Sequence, residues 1–206
     1  MKGLLALLTF ATTLSAFATC PTIELPNQFK AREQWISIGT DMELTANKTR
    51  IGEIEERIIR LTPTFDLYNV DGKKVAHARK KIFSWGTTIE VTDCEDKLIG
   101  KVKENVFRSI WDFYTRYDIL DANDNVIAAT EKMEFFSTNF TVFTQKDKKK
   151  EEIMKMTRPM LNLVTDAWTV KISKEGVIDP RVLVMIPAFK TSADNEQREK
   201  EKEKKK

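Results

Sequence analysis

The chain has 206 residues, of which 41 % are apolar, and it carries 34 basic and 31 acidic side chains. This length suits one domain with a sizeable core, and the apolar content excludes a disordered chain. The formal net charge of +3 is small, so no overall field favours nucleic acid or an anionic membrane as a partner.

The N-terminal residues have the pattern of a bacterial-type export signal. Lys2 supplies a positive start, an apolar stretch follows from Leu4, and residues 16–18 form a small-x-small cleavage site. This pattern predicts a signal peptide over residues 1–18, cleavage after Ala18, and a periplasmic or extracellular mature chain that begins with an extension over residues 19–27. The stretch is short for a bilayer, so no transmembrane segment is expected in the mature chain. A buried N-terminal helix is the alternative.

Cys20 and Cys94 are the only cysteines. An exported protein meets an oxidising compartment, which makes one disulfide between them a candidate. The alternatives are two unpaired thiols or a lipid-acylated Cys20, although Thr19 is a poor match where a smaller residue usually precedes a lipidated cysteine. His77 is the only histidine and no Cys-x-x-Cys motif occurs, so neither a metal site nor another cofactor is predicted.

Internal repetition is the strongest signal in the chain. Six alternating segments begin 22 to 28 residues apart, at Phe29, Ile51, Val75, Ile99, Ile127 and Ile153. Each is followed by a short break and a second run with apolar residues two apart: Met42 and Leu44, Phe65 and Leu67, Ile89 and Val91, Tyr117 and Ile119, Phe140 and Val142, and Trp168, Val170 and Ile172. A period of two places such residues on one face of a strand. A near-constant period indicates repeated supersecondary units.

The repeats therefore predict a mainly β protein of six hairpins, or twelve antiparallel strands, over residues 28–193. An open sandwich would also accommodate hairpins. Regular repetition favours a closed barrel, because closure removes the exposed sheet edges.

A helix is predicted to follow the last hairpin, at about residues 179–190. Asp179 is a good N-cap and Pro180 a good first helical residue, while residues 182–186 are apolar on every side. Such a helix must be buried, and a twelve-stranded barrel has a lumen wide enough to hold it. Pro187 should kink or end the helix, and a short buried strand is the competing interpretation. The charged tail over residues 194–206 is expected to be solvated, either disordered or a frayed helix.

These residues resemble a known family. Residues 65–72 followed by 75–85, and later residues 166–172 with Asp179-Pro180 and the apolar helix, look like the LURP-one-related group, which belongs with the Tubby C-terminal-like domains and the phospholipid scramblases. The resemblance covers about residues 28–193 and implies a twelve-stranded barrel around a central helix. It also implies action at membranes, through basic residues that bind phosphoinositides or through calcium, but this chain has no matching site for either.

The sequence gives no catalytic constellation, so a non-enzymatic protein is predicted. His77 lies in mid-strand, where an ordinary strand side chain is expected. The leading hypothesis is an exported binding or envelope-associated module. The rival is a scramblase-like protein that recognises or moves anionic phospholipids at a membrane surface. Arg79, Lys80 and Lys81 are the candidate contacts with an anionic surface. Solubility and protection of the sheet edge are the simpler explanation for these basic residues. An envelope protein is the other candidate partner.

Overall fold

The computed structural model describes residues 20–34, 39–59, 62–83, 86–108, 113–131, 137–144, 150–159 and 167–204. The predicted signal peptide, Thr19 and the last two lysines lie outside these residues. The described residues form twelve strands and one helix: β1 Gln28–Glu33, β2 Met42–Ala46, β3 Thr49–Ile59, β4 Thr62–Asn69, β5 Lys74–Phe83, β6 Gly86–Asp93, β7 Leu98–Arg108, β8 Phe113–Leu120, β9 Val126–Thr130, β10 Asn139–Thr144, β11 Glu152–Thr157, β12 Ala167–Ile172 and α1 Pro180–Glu203.

The twelve strands form one closed antiparallel barrel. Each strand pairs with the next along the chain, and β1 also pairs with β12, where Phe29 lies opposite Val170. The predicted closed barrel of six hairpins is therefore confirmed. We call the end at which α1 begins the lower end, and the end towards which it runs the upper end.

The barrel interior is lined by the apolar residues that recur two apart in the sequence. All thirteen apolar residues singled out in the second runs are buried. Trp168, Phe29, Phe65 and Phe140 are the largest side chains that are almost completely excluded from solvent. The alternation in the sequence thus marks the inner face of the wall, as a strand period of two requires.

Three hairpin turns at the lower end have the same construction. In each, the first residue is Asn or Asp, and its side-chain oxygen accepts hydrogen bonds from two backbone N–H groups of the turn. In each, the fourth residue has a positive φ. The first residues are Asn69, Asp93 and Asp121, and the fourth residues are Gly72, Asp96 and Asp124. Asn, Asp and Gly suit these positions because they accept the left-handed conformation or bond to the backbone nearby.

The central helix is longer than predicted. It begins at Pro180, after an Asp179 side chain that accepts a hydrogen bond from the Arg181 N–H, but it ends at Glu203 and not near residue 190. The prediction that residues 194–206 form a disordered tail is wrong for residues 194–203, which are helical. The alternative of a helical tail agrees with the structure over these residues. Pro187 lies inside the helix and is buried. It removes one hydrogen bond, yet the barrel wall packs around the helix on both sides of it.

The helix contacts different strands of the wall along its length. Near the lower end, Val182 approaches β7 so closely that a Cβ on Gly100 would lie 3.1 Å from a Val182 methyl group. Further up, the ring centroids of Phe189 and Phe65 are 5.0 Å apart, and the Trp168 indole N–H donates to the Thr191 hydroxyl at 2.9 Å. A glycine on the wall therefore permits the close approach that seats the first turn of α1.

Candidate binding surface on the barrel wall

The predicted basic stretch does not form a single surface, because its residues alternate across the wall of β5. Arg79 is exposed on the outer face and Lys81 pairs there with Glu90 at 2.7 Å. Lys80 points inward, is only 7 % exposed, and forms an ion pair with Glu196 of α1. The expectation that Lys80 contacts an anionic surface beside Arg79 and Lys81 is therefore wrong, since a strand cannot present three consecutive side chains on one face.

Polar side chains hold the upper half of α1 inside the barrel. Asp194 contacts both the Arg158 guanidinium, at 2.7 Å, and the Lys190 ammonium. All three side chains are at most 4 % exposed. The Arg158 guanidinium also lies 4.5 Å from the centroid of the Trp168 ring. This cluster explains why the helix continues beyond its apolar segment, because its polar residues find partners on the inner wall.

A second set of contacts ties α1 to the first hairpins. The Ser192 hydroxyl donates to the Glu56 carboxylate at 2.8 Å, and the Glu56 carboxylate also accepts from the Thr40 N–H at 2.5 Å. The Asn195 amide donates to Glu33 at 3.0 Å. These hydrogen bonds pair polar side chains of α1 with the wall at the upper end of the barrel.

A small cavity of about 20 Å³ remains between α1 and the opposite wall. Its lining includes Lys80, Glu104, Tyr117 and Phe189. Burial raises the pKa of the Tyr117 hydroxyl well above its usual value, and the adjacent Glu104 carboxylate adds to the rise. The cavity has room for about one water molecule. At this place α1 thus leaves little free volume between itself and the described part of the wall.

His77 belongs to an ion-pair cluster on the outer face of β3, β4 and β5. Its Nδ1 lies 2.8 Å from Asp66, which also contacts Lys74 at 3.1 Å and Arg57 at 3.5 Å. Burial alone would raise the pKa of the Asp66 carboxyl, but the hydrogen bonds from His77 and Lys74 outweigh it and hold this pKa below its ordinary value. The cluster joins three strands through one carboxylate. His77 takes part as a strand side chain that is hydrogen-bonded to this carboxylate.

Four exposed cations on the other side of the barrel have a different environment. We call Lys30 and Arg32 of β1, Lys155 of β11 and Lys171 of β12 the basic wall. Among the described residues, none of these four forms an ion pair. Lys155 lies directly opposite Lys171, and Lys171 lies directly opposite Gln28. Sequence analysis missed this surface because the four residues are far apart in the chain and meet only when β12 pairs with β1.

A groove of about 470 Å³ runs beside the basic wall at β1 and β2. Lys30, Arg32 and Lys48 line it, and Glu43 is its one acidic lining residue among those described. The groove therefore carries an excess of positive charge and is open to solvent.

A disulfide closes the lower end of the molecule. Cys20 is bonded to Cys94 in the turn between β6 and β7, with a Cα–Cα distance of 5.6 Å and a separation of 74 residues in the chain. Between them, Ile23 is buried against the core and the Thr22 carbonyl accepts a weak hydrogen bond from Asn69 at 3.4 Å. The N-terminal extension thus forms a strap along the lower rim.

Two further properties concern the described residues alone. No group of three or more His, Cys, Asp or Glu side chains is arranged there to hold a metal ion. In the described part of the chain, no helix is both long enough and apolar enough to cross a membrane.

The fold and the sequence define the class of this protein: a closed twelve-stranded barrel around a C-terminal helix. Its architecture is similar to that of a protein from Arabidopsis thaliana whose X-ray structure matches with a TM-score of 0.52 and 11 % identity, over 82 % of this chain and 93 % of that one. Residues 74–180 match the pattern that defines the LURP-one-related family. The chain belongs to the LURP-one-related family. No curated protein matches the sequence.

Proposed function

We propose that this chain is an exported, non-enzymatic binding module that acts at the cell envelope through the outer surface of its barrel. The position of α1 carries this proposal. Some closed barrels bind a small ligand in an open lumen. Here the buried residues 182–189 of α1 occupy that volume, and a cavity beside Phe189 among the described residues measures only about 20 Å³. The outer wall is the surface that is left for a partner.

Export is supported by two independent features. The N-terminal residues have the order of a secretory signal, and disulfides persist mainly in oxidising compartments. A Cys20 sulfur bonded to Cys94 has no valence left for a thioether-linked lipid. The proposal therefore has cleavage after Ala18 and no lipid anchor at Cys20.

Fractionation of a bacterial host that expresses the full chain tests this proposal. We expect the protein in the envelope or extracellular fraction, with Thr19 as its first residue and with Cys20 and Cys94 oxidised, as read by mass spectrometry. High salt should release the envelope-bound part, because exposed charges are screened. An uncleaved, reduced protein in the cytoplasm would contradict export.

A second candidate is a membrane-surface protein that recognises anionic phospholipids. The basic wall favours it, since each lysine or arginine near an anionic bilayer adds to the attraction. Flotation with vesicles of anionic and of neutral phospholipid tests it. This function predicts salt-sensitive binding to the anionic vesicles alone, and an absence of binding to either kind rejects it.

A further inference from the structure

We propose that the basic wall binds an acidic polysaccharide, a sugar polymer that carries carboxylate or sulfate groups. This inference rests on the proposed envelope function and names the partner of its outer surface. It is carried by the cations themselves, by the neutral groups beside them, and by the lack of large exposed apolar side chains beside them among the described residues.

The first argument is an uncompensated repulsion. Lys155 and Lys171 lie directly opposite each other on adjacent antiparallel strands, and like charges in this position destabilise a sheet. Both side chains are exposed and neither forms an ion pair with the described residues. A bound anion would relieve the repulsion between the two ammonium groups. This pair of lysines is therefore a favourable place for an anionic partner to bind.

The rest of the barrel shows that this arrangement is specific to one wall. On β5 and β7, Lys81 pairs with Glu90 and Lys101 pairs with Asp124, both at 2.7 Å. Arg79 and Lys103 form no ion pair with the residues that the structure describes, yet each has an acidic residue directly opposite, Glu90 and Asp118. Lys30, Lys155 and Lys171 instead face threonine, glutamine or each other across the strand pairs. Arg32, the fourth residue of the basic wall, lies opposite Glu43, so the contrast with the rest of the barrel rests on the three lysines.

The neutral neighbours fit sugar hydroxyl groups. Thr141 lies opposite Lys155, Gln28 lies opposite Lys171, and Thr169 lies opposite Lys30. Hydroxyl and amide side chains both donate and accept hydrogen bonds. Adjacent strands are about 4.8 Å apart, so the adjacent pair Lys155 and Lys171 is flanked at short intervals by Thr141 on one side and Gln28 on the other, across four strands. A polymer with regularly spaced charges and hydroxyls matches this surface.

The wall lacks the apolar contacts that a bilayer partner would use. Proteins that lie on membranes commonly combine basic residues with apolar side chains that enter the acyl boundary. The large apolar side chains that are exposed in the described part of the chain are Val70, Ile82 and Val126, and all three lie on or beside β4, β5 and β9. The observations therefore favour a hydrated polymer over a lipid surface.

Fluorescence anisotropy of labelled polygalacturonate, titrated with the disulfide-bonded mature protein, tests the inference. Labelled neutral dextran and anionic phospholipid vesicles serve as comparison probes. The double variant Lys155→Gln/Lys171→Gln should bind polygalacturonate about 25-fold more weakly, at about fivefold for each lysine near an anionic surface. The matched control Lys81→Gln/Lys101→Gln removes the same charge from paired positions and should change the affinity by no more than about twofold.

Thermal unfolding of the double variant checks that it folds, and its unfolding midpoint should not fall below that of the wild-type protein, because one repulsion is relieved. The inference is supported by salt-sensitive binding to polygalacturonate, no binding to dextran, and loss in the double variant only. It is overturned if the wild-type protein does not bind polygalacturonate, if both double variants lose affinity equally, or if only the anionic vesicles are bound. The last result leaves the phospholipid candidate in place, and the fractionation experiment tests export independently of all three.

Discussion

Asp194 is the residue on which the buried polar cluster depends. Its carboxylate contacts the Arg158 guanidinium and the Lys190 ammonium at positions almost closed to solvent. A buried ion pair adds little net stability when complete, but removing one partner leaves charge without compensation in a region of low dielectric. The carboxylate is therefore needed for the fold, although it adds no apolar surface to the core.

We expect Asp194→Asn to lower the free energy of unfolding by about 3–5 kcal/mol, because the nearly isosteric amide leaves two buried cations without this carboxylate. Urea denaturation followed by circular dichroism measures the change. Asp124→Asn is the matched control, since Asp124 pairs with Lys101 at a side chain that is 63 % exposed. It should cost no more than about 1 kcal/mol, and equal losses in both variants would contradict the importance of the buried cluster.

The lowered pKa of the Asp66 carboxyl predicts how the stability of the protein depends on pH. Its pKa is lower in the folded protein than its ordinary value, because the contributions of His77 and Lys74 exceed that of burial. A lowered folded pKa stabilises the protein above the ordinary value and loses this effect as the pH falls through the folded pKa. Asp66→Asn should therefore cost about 1–3 kcal/mol near neutral pH, and the cost should shrink as the pH drops below the ordinary pKa of the carboxyl and through its lowered folded pKa.

Urea unfolding of wild type and Asp66→Asn over a series of pH values measures that difference. It should be constant above about pH 5 and shrink below it. Glu95→Gln, in an exposed turn and without an ion pair among the described residues, should leave the curve close to that of the wild type. A difference between wild type and Asp66→Asn that grows as the pH falls would contradict the assigned sign.

At the scale of elements, the strands were predictable and the helix only in part. Alternation with a period of two identified the strands, because each has one apolar face, as Phe65 and Leu67 illustrate. The start of α1 was predictable from Asp179 and Pro180. Its end was not, because Lys190 and Asp194 look like solvated residues until the positions of Arg158 and Trp168 on the inner wall are known.

The helix should be essential for folding. We expect Val184→Asp to unfold the domain, because Val184 is fully buried in the barrel and no partner for a new carboxylate is described there. Circular dichroism and thermal unfolding of the purified variant measure the outcome. Val126→Asp is the matched control at a valine that is 47 % exposed, and it should fold normally. A well-folded Val184→Asp protein with an unchanged midpoint would contradict a buried helix.

At the scale of the whole molecule, charge is distributed much less evenly than the net value of +3 suggests. The outer faces of β3 to β8 carry ion pairs, whereas the cations of the basic wall on β11, β12 and β1 form none with the residues that the structure describes. The sequence predicts the closed barrel, since repetition is a local property that can be read along the chain. It cannot predict the basic wall, because Lys30 and Lys171 become neighbours only through closure between the first and last strands.

The disulfide should stabilise the molecule as a whole. It closes a loop with a separation of 74 residues, and cross-links of this size restrict the unfolded chain. We expect Cys20→Ser/Cys94→Ser to lower the free energy of unfolding by about 2–4 kcal/mol without changing the fold. A reducing agent should have a comparable effect on the wild-type protein and none on the double variant. Equal stability of the oxidised wild-type protein and the double variant would show that the strap adds nothing.

The order of the elements along the chain has a consequence for how the protein is made. The helix that fills the barrel is synthesised after all twelve strands, and β1 must wait for β12 before it gains its second neighbour. A nascent chain therefore lacks the central part of its hydrophobic core, residues 182–189 of α1, until nearly the whole sequence has been synthesised. Such late completion would keep the polypeptide loosely organised during synthesis, which is compatible with the export proposed above.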